Sequence, residues 1–131
     1  MNYIKKIFEF SEAIKSNLSI ERNEDSSNSD IVEFRWLLDG KDCGMMIVKM
    51  EGDYSTIVAY TRKIEDWIPR GVGYDFIKMC IDDILKTKKG VISTDYSRNK
   101  YSEEIINKLS GEYSVTNGMY KGSKAKLITN K

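Results

Sequence analysis

The chain has 131 residues, 40% hydrophobic and 31% charged, a length and balance that predict one soluble globular domain, residues 1–131, around a single core. A formal charge of +1 supplies no field to draw it to nucleic acid or to an anionic membrane, and the absence of histidine excludes Ser-His, Cys-His and histidine-metal chemistry. The two cysteines, Cys43 and Cys80, lack C-x-x-C spacing and cannot complete a zinc site, so no metal is expected.

Ile4, Ile7, Phe8, Ile14 and Leu18 fall on one side of a helix from about Tyr3 to Asn17. Glu9 and Glu12 interrupt the apolar run that a signal peptide would need after Lys5-Lys6, and no segment has the length and apolarity to span a bilayer. A cytoplasmic protein is the expectation. Leu18-Ser19-Ile20 reads as a short strand, and the polar stretch Glu21 to Asp30 as a loop. Val32, Phe34, Trp36 and Leu38 alternate with Glu33 and Arg35, the period of a half-buried strand. Asp39-Gly40 is a hairpin signal, Cys43 to Met50 returns as a second strand, and Glu51-Gly52-Asp53 turns the chain into a third, Tyr54 to Ile64.

The rhythm then changes to that of a helix. Ile77, Cys80, Ile81, Ile84 and Leu85 form an apolar stripe on a helix from Tyr74 to Lys88, with Cys80 a small core residue and Gly90 as the stop. Val91 to Thr94 is a short strand, parallel to Tyr54–Ile64 because a helix joins them. Tyr101, Ile105 and Leu109, with Ile106 beside them, mark another helix. Glu112–Val115, a turn at Asn117-Gly118, and Met119–Ile128 read as a closing hairpin. An exposed edge along Met119–Ile128 offers a surface for pairing two copies into a homodimer. The basic run Lys121, Lys124, Lys126, Lys131 reads as a solvated strand face.

Between the third strand and the helix lies Ile68-Pro69-Arg70-Gly71-Val72-Gly73. Two glycines one residue apart at a strand-to-helix junction let backbone N–H groups approach an anion, and the helix N-terminus adds partial positive charge. The same glycines also serve tight loop-to-helix packing, and the motif alone does not separate the two uses.

In this order of elements the chain from Ile31 onward resembles the GNAT superfamily of acetyl-CoA-dependent N-acyltransferases. The resemblance implies an α+β, three-layer fold: a mixed, mostly antiparallel central sheet flanked by helices. It implies that the Q/R-x-x-G-x-G/A loop holds the coenzyme A pyrophosphate, with acetyl-CoA as co-substrate and cofactor contacts at Ile64, Arg70, Gly71, Val72, Gly73, Tyr74 and Asn99. Ile68 stands where the motif leads with Gln or Arg. In the family's Y-x-K pattern Lys108 matches, but Ile106 occupies the place of the tyrosine that protonates the leaving thiolate. Tyr101 and Tyr113 flank that place, and Tyr101 is the candidate general acid. Glu65 is the candidate base, with Glu51, Asp53 and Asp95 as alternatives.

Each has a plainer reading as well: Arg70 as an exposed loop arginine, Asn99 as a helix cap, Tyr60 as strand packing rather than groove lining, Trp36 and Trp67 as core or rim aromatics. The turn Thr94–Arg98 and the abbreviated N-terminal half are similar to small divergent members found in phages and mobile elements. The acceptor is an unspecified amine, on a small molecule or a protein lysine. The alternative is a catalytically silent fold that binds a partner protein.

Overall fold

In the computed structural model the described residues are 17–25, 27–94 and 100–131. The helix expected over Tyr3–Asn17 lies outside them except for its last residue, as do Asp95, Asn99 and the side chain of Tyr101. The elements in chain order are β1 (Leu18–Asp25), β2 (Asn28–Leu38), β3 (Lys41–Glu51), β4 (Tyr54–Arg62), α1 (Val72–Ile84), β5 (Gly90–Thr94), α2 (Lys100–Leu109), β6 (Tyr113–Tyr120) and β7 (Ser123–Asn130). They build a seven-stranded sheet in the order β1-β2-β3-β4-β5-β7-β6, with both helices feeding the same buried cluster. Only β4 and β5 run parallel, so the sheet is mixed and mostly antiparallel as expected.

The alternation in β2 does what its period demands: Val32, Phe34, Trp36 and Leu38 are buried while their neighbours are not. Against them lies the apolar stripe of α1, with Phe76, Ile77, Cys80, Ile81 and Ile84 buried. The Trp36 ring stacks on Phe76 at 5.3 Å, and its Nε1–H donates to Cys80 Sγ at 3.4 Å. That contact satisfies a buried indole N–H, and burial pushes the Cys80 thiol up to about 12, so Cys80 is a core residue.

Four expectations need correction. Glu21 to Asp30 is not a loop: β1 runs to Asp25 and β2 starts at Asn28, because pairing with Val32–Leu38 supplies the ladder that the polar side chains gave no hint of. Helix α1 ends at Ile84 with Leu85 as cap, and Gly90 is the first residue of β5 rather than the helix stop. The closing turn is at Lys121-Gly122, both with positive φ (49° and 81°), not at Asn117-Gly118. Asn117 and Gly118 pair inside the ladder with Lys126 and Ala125, and this register lets the whole of β6 pair, Tyr113 to Tyr120. Strand β7 therefore lies between β5 and β6, and the edge at this side of the sheet is β6, to which only Met119 and Tyr120 of the expected Met119–Ile128 edge belong.

Candidate coenzyme cleft

Three local features of the sheet open a cleft at the C-terminal end of β4. First, β4 and β5 pair only through Tyr54–Thr56 with Gly90–Ile92, after which β4 continues to Arg62 without β5. Parallel neighbours that part at their C-terminal ends are the usual seat of a ligand in such sheets. Second, the β3 register passes from Val48↔Ile57 to Ile47↔Ala59, so Val58 is an extra residue in a β-bulge. A bulge takes backbone out of the ladder and re-aims it. Third, β4 crosses β3 very closely at Gly44: a Cβ there would sit 2.2 Å from the Thr61 carbonyl oxygen. Only glycine admits that approach, which fixes the path of the last residues of β4.

The loop leaving β4 is tied back at its base, Lys63 N–H donating to the Cys43 carbonyl at 2.9 Å. It delivers Gly71 as the N-cap of α1 with φ 89° and ψ −12°, a left-handed conformation, and no side chain caps this helix end. The amides of the first turn lack i−4 partners by construction, so they present an uncapped, partly positive end. A Cβ built at Gly71 meets nothing within 4 Å. Gly71 is thus required by its backbone angle and faces open space, while Gly73 is buried in the first turn of α1.

Around that helix end is a groove of about 370 Å³ lined by Arg62, Arg70, Gly71 and Tyr74 and, from α2, Glu104, Ile105 and Lys108. Three cations against one carboxylate make it a place for an anion. The Lys108 ammonium sits over the Tyr74 ring, 4.3 Å from its centroid. Tyr74 Oη donates to Glu112 Oε2 at 2.7 Å, and Lys78 Nζ donates to Glu112 Oε1 at 3.0 Å. Burial and the Glu112 bond push the Tyr74 phenol up to about 12, and the same bond with Lys78 holds the Glu112 carboxyl below its usual range. Tyr74 is therefore a fixed neutral platform for Lys108 rather than a proton donor.

The sequence-derived candidates separate. Arg70, Gly71 and Tyr74 meet in the groove, with Val72 and Gly73 in the first turn behind them. Ile64 is 91% exposed on the outer loop. Glu65 accepts from Trp67 Nε1–H and lines an outer hollow with Ile64, Asp66, Ile68 and both arginines, so it is not brought into the groove. Ile106, at the tyrosine position, is 1% exposed and packed in the core. Ile68, at the leading motif position, also packs against the core. Tyr113 donates to Asp82 and is buried away from the groove. Glu51 and Asp53 lie at the opposite end of β4.

Sequence reasoning missed Arg62, Glu104 and the bulge at Val58. Arg62 lies inside the strand run Tyr54–Ile64, outside the glycine motif, and a bulge leaves no mark in a single sequence.

No family model and no curated protein matches the chain. Solved structures do. The ribosomal-protein-S18-alanine N-acetyltransferase from Escherichia coli superposes with a TM-score of 0.57 at 12% identity, over 90% of this chain and 83% of that one. A Bacillus subtilis acetyltransferase in complex with CoA gives 0.60 at 12% identity, over 87% and 99%. The PaiA N-acetyltransferase of Thermoplasma acidophilum in complex with coenzyme A gives 0.55 at 12%, over 79% of this chain and 63% of that one. With its parted β4 and β5, its bulge and its seven-stranded sheet, the chain has the GNAT acetyltransferase fold.

Proposed function

We propose that the chain is an acetyl-CoA-dependent acyltransferase that moves an acetyl group to an amine. The observation that carries this reading is the uncapped α1 N-terminus at Gly71, set between Arg62, Arg70 and Lys108 at the mouth of the β4–β5 cleft. A pyrophosphate needs backbone N–H donors and flanking cations, and arginine pairs with phosphate oxygens in a way lysine cannot. The residues present fit that group.

The bound coenzyme supplies an activated acyl thioester. The chain's own part is to orient it along β4 and to polarise the carbonyl with a backbone N–H at the Val58 bulge, tasks worth several kcal/mol each in such sites. The amine nitrogen bonds to the acyl carbon, the C–S bond breaks, and the thiolate takes up a proton. With Ile106 in the core, that proton comes from Tyr101 on the first turn of α2 or from solvent. Glu65 serves as base only through water, given its place on the outer loop.

Calorimetric titration of acetyl-CoA and of free coenzyme A tests the reading. Saturable binding that is lost in Arg70→Glu supports it. No binding at sub-millimolar ligand refutes it and favours the second reading, a silent fold that binds a partner protein, for which the buried Ile106 is the specific observation.

A further inference from the structure

Two walls of the coenzyme groove come from different helices, Arg70, Gly71 and Tyr74 at the head of α1 and Glu104, Ile105 and Lys108 on α2. One carboxylate joins them. Glu112 follows α2 across a short turn, where the Ser110, Gly111 and Glu112 N–H groups donate to the Asn107, Lys108 and Leu109 carbonyls at 3.2, 3.3 and 2.9 Å. Leu109 and Tyr113, on either side of the turn, are buried and anchor it. Glu112 and Lys108 are therefore held as one piece. Across the gap, Tyr74, Lys78 and Asp82 recur every four residues and share one face of α1. Glu112 takes the first two, Oε2 accepting the Tyr74 hydroxyl at 2.7 Å and Oε1 the Lys78 ammonium at 3.0 Å.

We propose that Glu112 is a positioning residue of the coenzyme groove: it clamps the end of α2 to the first turns of α1 and holds Tyr74 under the Lys108 ammonium, so that Lys108 faces the α1 amides across the groove. The proposal rests on the coenzyme reading of that groove. Three observations carry it. The clamp passes through both walls, since Tyr74 and Lys108 each line the groove and the ammonium lies 4.3 Å from the Tyr74 ring centroid. A phenol that donates to a carboxylate gains electron density in its ring, which strengthens its hold on the cation above it. The Glu112 and Lys78 side chains are 45% and 38% exposed, and ion pairs this open add little to stability, so the clamp acts on where the helices sit more than on whether the chain folds.

The third observation is the sign of the charge. A carboxylate beside a cationic groove weakens the field that draws a phosphate in, so by charge alone Glu112 opposes coenzyme binding. Its geometry works the other way. Freed from the Tyr74 ring, the Lys108 ammonium swings on a flexible four-carbon stem, and ordering it at the moment of binding costs entropy. Charge and geometry thus predict opposite effects for one substitution.

The test titrates coenzyme A into the full chain by calorimetry, with thermal melts, for the unaltered protein, Glu112→Ala, Asp82→Ala, Lys108→Met and the double variant Glu112→Ala/Lys108→Met. Asp82 accepts the Tyr113 hydroxyl, so Asp82→Ala also removes one negative charge and one tyrosine–carboxylate bond between α1 and the same turn. By charge alone both alanine variants tighten binding, by up to about twofold. We expect Glu112→Ala instead to weaken it by about threefold to tenfold, part of a charge-assisted contact, and Asp82→Ala not to weaken it. The loss at Glu112 disappears in the Lys108→Met background, because the clamp acts through Lys108. Should Glu112→Ala fail to fold, Tyr74→Phe, which breaks the same bond without changing charge, is read in its place.

If Glu112→Ala leaves affinity unchanged or raises it, if Asp82→Ala weakens binding as much, or if the loss is as large without Lys108 as with it, the positioning role fails while the coenzyme reading stands. If the unaltered protein does not bind coenzyme A, both fall.

Discussion

Replacing Gly71 separates a phosphate cradle from a packing glycine. A Cβ at this position meets no atom within 4 Å, so Gly71→Ala costs no collision. It costs backbone strain alone, because φ is 89° and an L-residue in the left-handed region loses roughly 1–2 kcal/mol. For a domain of this size that is a fall in Tm of roughly 3–10 °C. The methyl group points into the groove where an anion would approach the α1 amides. Losing one charge-assisted hydrogen bond there costs roughly 1.5–3 kcal/mol, or about 10- to 150-fold in coenzyme A affinity.

Gly71→Asn completes the argument. Asparagine tolerates the left-handed region, so most of the stability returns, yet its side chain still fills the cradle and its oxygen caps the same amides. Calorimetry with coenzyme A and thermal melts on the three proteins give the readout. Asparagine restoring both stability and affinity would show that only the backbone angle matters, and the cradle argument would be wrong.

Further outcomes follow from other parts of the molecule. Arg70→Glu and Lys108→Glu each weaken coenzyme A binding and flatten its dependence on salt, whereas Lys86→Glu, on the exposed side beyond α1, does neither; isothermal titrations at two ionic strengths check this. Gly44→Ala drives a Cβ to 2.2 Å from the Thr61 oxygen and prevents cooperative folding, visible as loss of the thermal transition. The Glu51 carboxyl is held at about 2 against 4.5 when unfolded, chiefly by the Tyr120 hydroxyl and then by Lys49. Its contribution is thus full above pH 4.5 and disappears as pH falls toward 2, so Tyr120→Phe narrows the Tm difference between pH 5 and pH 2. Burial raises both thiols, and neither Cys43 nor Cys80 reacts with a thiol reagent at pH 8 until the protein unfolds.

What the sequence made legible was local. The period-two run Val32–Leu38 and the helical stripe Ile77–Leu85 each declare one buried face, and those faces became the core. The hairpin at Asp39-Gly40 was legible because both residues take positive φ, 53° and 78°, which that dipeptide favours. Asn117-Gly118 carries the same signal and was misleading. Turn chemistry says where a chain can reverse, but the ladder chooses, and reversing at Lys121-Gly122 lets every residue of β6 find a partner. Strand β1 was missed for a related reason: Glu21, Arg22, Asn23 and Glu24 have no strand character of their own, and take it from β2 across the sheet.

The site divides along the same line. Arg70, Gly71 and Tyr74 are consecutive enough to be read as a motif, and they do meet in one groove. Arg62, Glu104 and Lys108 reach it only because the Val58 bulge and the Gly44 crossing steer β4 apart from β5 and leave room for α2 beside it. The tasks assigned to the cleft fall mostly on backbone: helix-end amides for the phosphates, a bulge N–H for the carbonyl. Backbone tasks do not depend on side-chain identity, so the chain can carry isoleucine at positions 68 and 106 and spend both on the core without dismantling the cleft. On the proposed reading, a cleft built this way has little side-chain chemistry to lose. If the proposed reading holds, binding then depends on how the β4 and α1 backbone is held, which is why Gly71, rather than any single acid or base, is where a substitution should cost the most coenzyme affinity for the least stability.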